Sequence, residues 1–212
     1  MIFSAAVFFT PCVFADYIQF TNSSYEAGTG FGNVENVLSI QHTPSETGGI
    51  APPSNTQTGD ATNTSRTWTS GQLTALGYSP SKFAVVFNIN EPGSAPQVNL
   101  LSFQLNFYTP ENALYGSAAT NNVPQNGLTP IGGSGTGTAG YLMMYHQEGA
   151  NLLNWFFADP NRIVGGTGSV SLSASGAENF YLAPAPVPIP AAAWLLGSGL
   201  LGLVALRRRF KK

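Results

Sequence analysis

Any chemistry in this chain has to come from few side chains. Its 212 residues contain two histidines, His42 and His146, ten carboxylates and one cysteine, Cys12. His146 stands two positions before Glu148. On a strand that spacing puts both side chains on one face, where they would ligate a metal or relay a proton. No nucleophile motif accompanies them, and the expectation is that His146 points from a strand toward solvent. A glycosidase needs an acid and a base held some ångströms apart. Nothing in the sequence pairs two of the ten carboxylates, and solvation at the surface accounts for all of them. Calcium is the cation that loops rich in Asp, Asn and Glu suit best, although no Asp-x-Asp-x-Asp-Gly loop is present. Gly165-Gly166-Thr167-Gly168 and the run from Gly132 to Thr138 lack the lysine of a phosphate-binding loop and read as plain loops. No catalytic residue and no metal ligand set is assigned, and the expectation is a protein that is not an enzyme.

Aromatic rings are the remaining candidates. Tyr78, Tyr108, Tyr115, Tyr141, Tyr145, Trp155 and Tyr181 would either stack on sugars or fill a core, and strand aromatics favour the core. Trp68 follows a polar stretch and lies between Thr67 and Thr69, which makes it the candidate sugar contact.

The elements that would carry these residues are strands. Asn99 to Phe107 alternates, with Leu101, Phe103, Leu105 and Phe107 on one face; Phe83 to Ile89 alternates likewise, with Phe83, Val85, Phe87 and Ile89 inward. The turn-rich Glu91 to Pro96 joins them as a hairpin or as a longer connection between sheets. Weaker strands are expected at Tyr17–Phe20, Val34–Gln41, Tyr141–Gln147, Asn154–Phe157, Val170–Ala174 and Phe180–Leu182. Ser70 would cap a short helix over Gly71–Leu76 that ends at Gly77, and Pro110 would lead Glu111–Tyr115 into a turn. Thr43–Ser65 and Ile131–Gly140 read as long loops. The pattern is mainly β, an antiparallel β-sandwich of jelly-roll or immunoglobulin-like topology, occupying residues 16–183.

The two ends of the chain have a different character. Ile2 to Phe9 is an apolar stretch of signal-peptide length, and Val13-Phe14-Ala15 suits a cleavage site after Ala15, making residues 1–15 a signal peptide. Cleavage there would remove Cys12 and with it any disulfide, thiolate or cysteine metal chemistry. A stiff proline spacer over 184–190 precedes an uncharged apolar run, Ala191 to Leu206. That run is expected to form a single C-terminal transmembrane helix over 191–206: sixteen residues span roughly 24 Å against a hydrocarbon core of roughly 30 Å, and Ile189, Pro190 and snorkelling basic side chains narrow the gap. Arg207, Arg208 and Arg209, with Lys211 and Lys212, form a basic stop that would keep residues 207–212 in the cytoplasm. Only three basic residues, Arg66, Lys82 and Arg162, precede that stop, against all ten acids. No basic surface remains for nucleic acid.

Proline spacer, apolar segment and arginine cluster, in that order, resemble the C-terminal sorting signals of the PEP-CTERM and VPLPA-CTERM class. The matching residues are Val187, Pro188, Ile189, Pro190 and Ala191, without the Pro-Glu-Pro of the better-known version. The resemblance implies handling by an exosortase-type enzyme at the inner membrane, then release to the cell surface or to an extracellular matrix of exopolysaccharide, as in a biofilm. The expected function is that of an exported structural or adhesive protein. The alternative is a lectin-like carbohydrate-binding module, with calcium as an optional aid, and a polysaccharide-cleaving enzyme ranks behind both.

Overall fold

The computed structural model describes residues 16–26, 34–91, 97–131, 139–147, 151–174 and 176–186. The expected signal peptide with Ala15, the sorting residues Val187 to Ala191, the apolar run, Arg207 to Arg209 and Glu148 lie outside the described residues. Among the described residues, no helix is long and apolar enough to cross a membrane.

The chain is mainly β, as its alternation implies. In order it forms β1 (Tyr17–Glu26), β2 (Glu35–Ile40), β3 (Ser45–Ala51), β4 (Thr56–Gly59), β5 (Trp68–Thr69), α1 (Ser70–Ala75), β6 (Lys82–Asn88), β7 (Val98–Tyr108), β8 (Leu114–Thr120), β9 (Gln125–Leu128), β10 (Ala139–His146), α2 (Leu152–Phe157), β11 (Ile163–Ser171) and β12 (Glu178–Pro186). Ten of these strands follow one hydrogen-bonded path, β2-β12-β6-β10-β1-β8-β7-β11-β3-β4, with β5 added on β11 and β9 on β7. The strands thus join as a single mixed sheet curled into a half-barrel, where two stacked antiparallel sheets were expected. The strictly antiparallel expectation also gives way at one point. β1 and β8 pair in parallel, Tyr17 opposite Ala119 and Ile18 opposite Thr120. Beyond that short ladder the Asn122 side chain stands in for a strand, its Oδ1 accepting from Phe20 N at 2.9 Å and its Nδ2 donating to Phe20 O at 2.9 Å.

Curling lets distant strands meet across the interior. Phe180 of β12 stacks between Phe87 of β6, at 4.8 Å, and Phe103 of β7, at 4.3 Å. A Cβ on Gly168 of β11 would meet Leu38, Phe180 and Phe103 at 3.2–3.4 Å. The glycines at 165–168 are therefore strand residues that let the two sides of the curl approach, and the loop reading of that segment is corrected. At Gly165 the requirement is absolute, since a Cβ would sit 2.3 Å from Ile50 O.

Four further expectations change. Thr43–Ser65 is largely β3 and β4, a hairpin whose alternate residues Glu46, Gly48 and Ile50 face inward. Asn154–Phe157 is helical, because Leu152, Leu153 and Phe156 recur at helix spacing and are all buried. α1 is capped one residue earlier than expected: Thr69 Oγ1 accepts from Gln72 N, and the Gln72 side chain accepts from Thr69 N. In β7 the register shifts between Ser169 and Val170 of its partner, so Leu100 is buried and Leu101 is 40% exposed. β6 and β7 are not neighbours, so the turn between them is the longer connection rather than a hairpin.

Candidate functional site: a polar cleft beside the sheet seam

The segment that follows β4 folds back over β2. Gln41 N donates to Asp60 O at 3.0 Å, Thr62 N donates to Ser39 O at 2.8 Å, and Ile40 bridges to Ala61. Ser65 fixes the far end. Its Oγ accepts from Ser39 N and donates to Ser39 O, both at 2.9 Å. Both Ser39 and Ser65 are buried. Asp60 pins the near end by accepting from Thr47 N at 2.8 Å. These bonds satisfy the outer edge of β2, which would otherwise stand open.

Between this strap, β2 and the start of β12 lies a cleft of about 700 Å³. Its walls carry amides and hydroxyls, among them Asn36, Asn55, Asn63, Thr64 and Asn179, and the guanidinium of Arg66, with Val34 and Ala177 as apolar patches. Among the described residues no carboxylate lines it. Asn55 accepts from both Thr67 N and Thr67 Oγ1 at 2.7 Å, from a backbone at φ 55° that asparagine tolerates better than most residues. That arrangement leaves its amide N–H groups available. Thr62 and Thr64 share a hydroxyl hydrogen bond of 2.8 Å.

Trp68 stands behind the cleft rather than in its wall. Its indole N–H donates to Asn36 O at 3.0 Å, and Arg66 lies over its ring, 4.7 Å from the centroid. The ring thus holds two cleft residues in place. Among the other aromatics, Tyr78, Tyr145 and Tyr181 are core residues. The Tyr78 hydroxyl lies 2.7 Å from Glu35 Oε2 and 2.9 Å from Leu182 O, and burial first, then Glu35, holds it far above the usual phenol range. Tyr115 stacks on Trp155 at 3.7 Å, and Arg162 covers Trp155 at 4.2 Å. His146 stacks on Tyr17 at 4.8 Å and is half-buried, so it does not simply point to solvent.

Surface solvation does not account for all the acids. Asp16, Glu46, Glu91 and Glu178 are buried. Asp16 accepts from Leu152 N at 2.8 Å and from the Tyr145 hydroxyl at 3.1 Å, tying the first described residue to α2 and β10. Glu91 accepts from Ala174 N at 2.6 Å and from Gly176 N at 3.3 Å. Glu46 and Glu178 meet inside one end of the half-barrel; among the described residues no well-formed hydrogen bond reaches their oxygens, although the His42 backbone N–H and Ser173 lie close enough to Glu46 to favour its charge. Two carboxyls in that position share a proton. Burial, then the hydrogen bond and charge of Glu46, pushes Glu178 up to about 10; burial also raises Glu46, and the bond from Glu178 pulls it part of the way back. Among the described residues no three His, Cys, Asp or Glu side chains are grouped to hold a metal.

Sequence reading singled out Trp68 but passed over Asn36, Asn55, Arg66 and Asn179. The available signal was the density of Asn and Thr between residues 54 and 69. No family model, no curated protein and no solved structure matches this chain.

Proposed function

We propose that this chain is an exported surface protein that binds carbohydrate through the cleft beside β2, without turning it over. One observation carries the reading: a cleft of about 700 Å³ lined mainly by amide and hydroxyl side chains and one guanidinium, with no carboxylate among the described residues. Hydroxyl-rich ligands exchange water hydrogen bonds for such walls at little net cost. A glycosidase would need two carboxylates facing its substrate. The close pair here, Glu46 and Glu178, is buried inside the half-barrel and does not line the cleft. Adhesion to extracellular polysaccharide is the role that follows from binding without cleavage.

Export and sorting belong to the same proposal and rest on the sequence resemblance. Cleavage after Ala15 would free Asp16, an exosortase-type enzyme would act near Val187 to Ala191, and the domain would pass from the inner membrane to the surface matrix. Fractionation with mass measurement tests this. Surface material is expected to begin at Asp16 and to lack the apolar run, whereas an intact C-terminus held in the inner membrane would mean a plain single-pass anchor.

Binding is tested by titrating the full chain in detergent with a panel of oligosaccharides. At least one is expected to bind, with a loss of about tenfold in Asn63→Ala, as for one or two lost polar contacts. A chelator added to the same titration tests calcium assistance. Binding unaffected by cleft substitutions would refute the site.

A further inference from the structure

We infer that the cleft is built for a saccharide bearing carboxylates, a uronic-acid polymer, with Arg66 as its anion-recognising residue. The inference rests on the carbohydrate reading above and narrows it to one ligand class.

Charge placement carries it. Only Arg66, Lys82 and Arg162 are basic before residue 207, in a chain with ten acids. Arg162 is committed elsewhere: it covers Trp155 and donates to Trp155 O. Lys82 opens β6 and is not in the cleft wall. Arg66 alone stands in the cleft, exposed, and among the described residues no carboxylate forms an ion pair with it. An arginine in so acidic a chain, left without an acid and placed among neutral amides, has its charge uncompensated where a ligand would sit.

Its geometry suits the task. Its contact with Trp68 takes up none of the guanidinium N–H groups and leaves those along its edge for a partner. A carboxylate matches that edge with two parallel hydrogen bonds. Neighbouring amides from Asn55 and Asn63 would take up the sugar hydroxyls. The acids next to cleft residues in sequence are engaged elsewhere: Glu35 accepts from the Tyr78 hydroxyl, Glu91 is tied to the backbone of 174–176, and Glu178 faces the interior with its proton shared. Repulsion from the remaining acids is screened beyond roughly 8 Å at physiological salt.

The test compares a hexameric oligouronate with a neutral hexasaccharide and with the same oligouronate after carboxyl reduction, by calorimetry on the full chain in detergent. The oligouronate should bind at least about tenfold more tightly than either uncharged ligand, as a charged hydrogen-bonded pair requires. Arg66→Gln should erase that preference and leave weak binding of all three, Arg66→Lys should restore part of it, and Lys82→Gln should leave it intact. Arg66 is exposed, so the variant should fold, which circular dichroism checks. Equal binding of all three ligands, with sensitivity to Asn63→Ala, would overturn this inference and leave the carbohydrate reading standing. A preference that survives Arg66→Gln would overturn it too. Absence of binding by any of the three would overturn both.

Discussion

At the scale of single residues, the buried carboxyl pair has the sharpest consequence. Glu178 is raised to about 10 in the fold, against roughly 4.3 in an unfolded chain. The folded protein therefore keeps a proton that the unfolded chain releases. Its contribution to stability is full below about pH 4.3 and drains away as pH rises toward about 10. Melting temperature should accordingly fall between pH 5 and pH 9. Glu178→Gln preserves a donor to Glu46 and removes the titration, so its melting curve should depend on pH much less. An equal slope in both proteins would show that the pair does not share a proton. None of this was legible in the sequence, where Glu46 and Glu178 stand 132 positions apart and nothing local announces that they meet.

At the scale of elements, alternation revealed most strands and misjudged two kinds of place. It worked where one face is apolar throughout, as at Phe83, Val85, Phe87 and Ile89 of the β6 segment. It failed where glycine replaces the apolar residue, because Gly48, Gly165 and Gly168 leave no hydrophobic mark although they face packed neighbours. It failed again at the β7 bulge, which moves the inward positions by one. Leu100→Ala should cost about 2–5 kcal/mol and Leu101→Thr less than about 0.5 kcal/mol, measured by denaturant unfolding. The reverse order would mean that the register follows simple alternation after all. Gly165→Ala should be as damaging as a core truncation, since its methyl would collide with Ile50 O on the neighbouring strand. The α2 segment misled for another reason: Leu-Leu-Asn-Trp-Phe-Phe is rich in strand formers, and tertiary burial of Leu152, Leu153 and Phe156 overrode that preference.

At the scale of the whole molecule, the strap over β2 couples closure of the sheet to formation of the cleft. Ser65→Ala leaves the buried Ser39 N–H without its acceptor and should cost about 1–3 kcal/mol. Ligand binding should weaken in the same variant, because Thr62 to Arg66 build one wall. Loss of stability with unchanged affinity would separate the strap from the site. Of the cleft, the sequence displayed the ingredients, an Asn- and Thr-rich stretch beside Trp68, but not the fold-back that turns them into walls.

The strand order also constrains when the protein can be finished. β1, the first strand, is central, gripped by β10 on one side and β8 on the other, while β12, the last, fills the gap between β2 and β6. A chain threaded N-terminus first through a secretion channel would emerge with its opening strand lacking one neighbour until residue 120 had passed and the other until residue 146, and its second strand unpaired in the ladder until residue 186 had followed. Such a chain travels unfolded and assembles only after nearly all of it has crossed, exposing bare strand edges meanwhile. Holding it at the membrane by its C-terminal end for that interval would keep each copy apart from the next while the sheet closes.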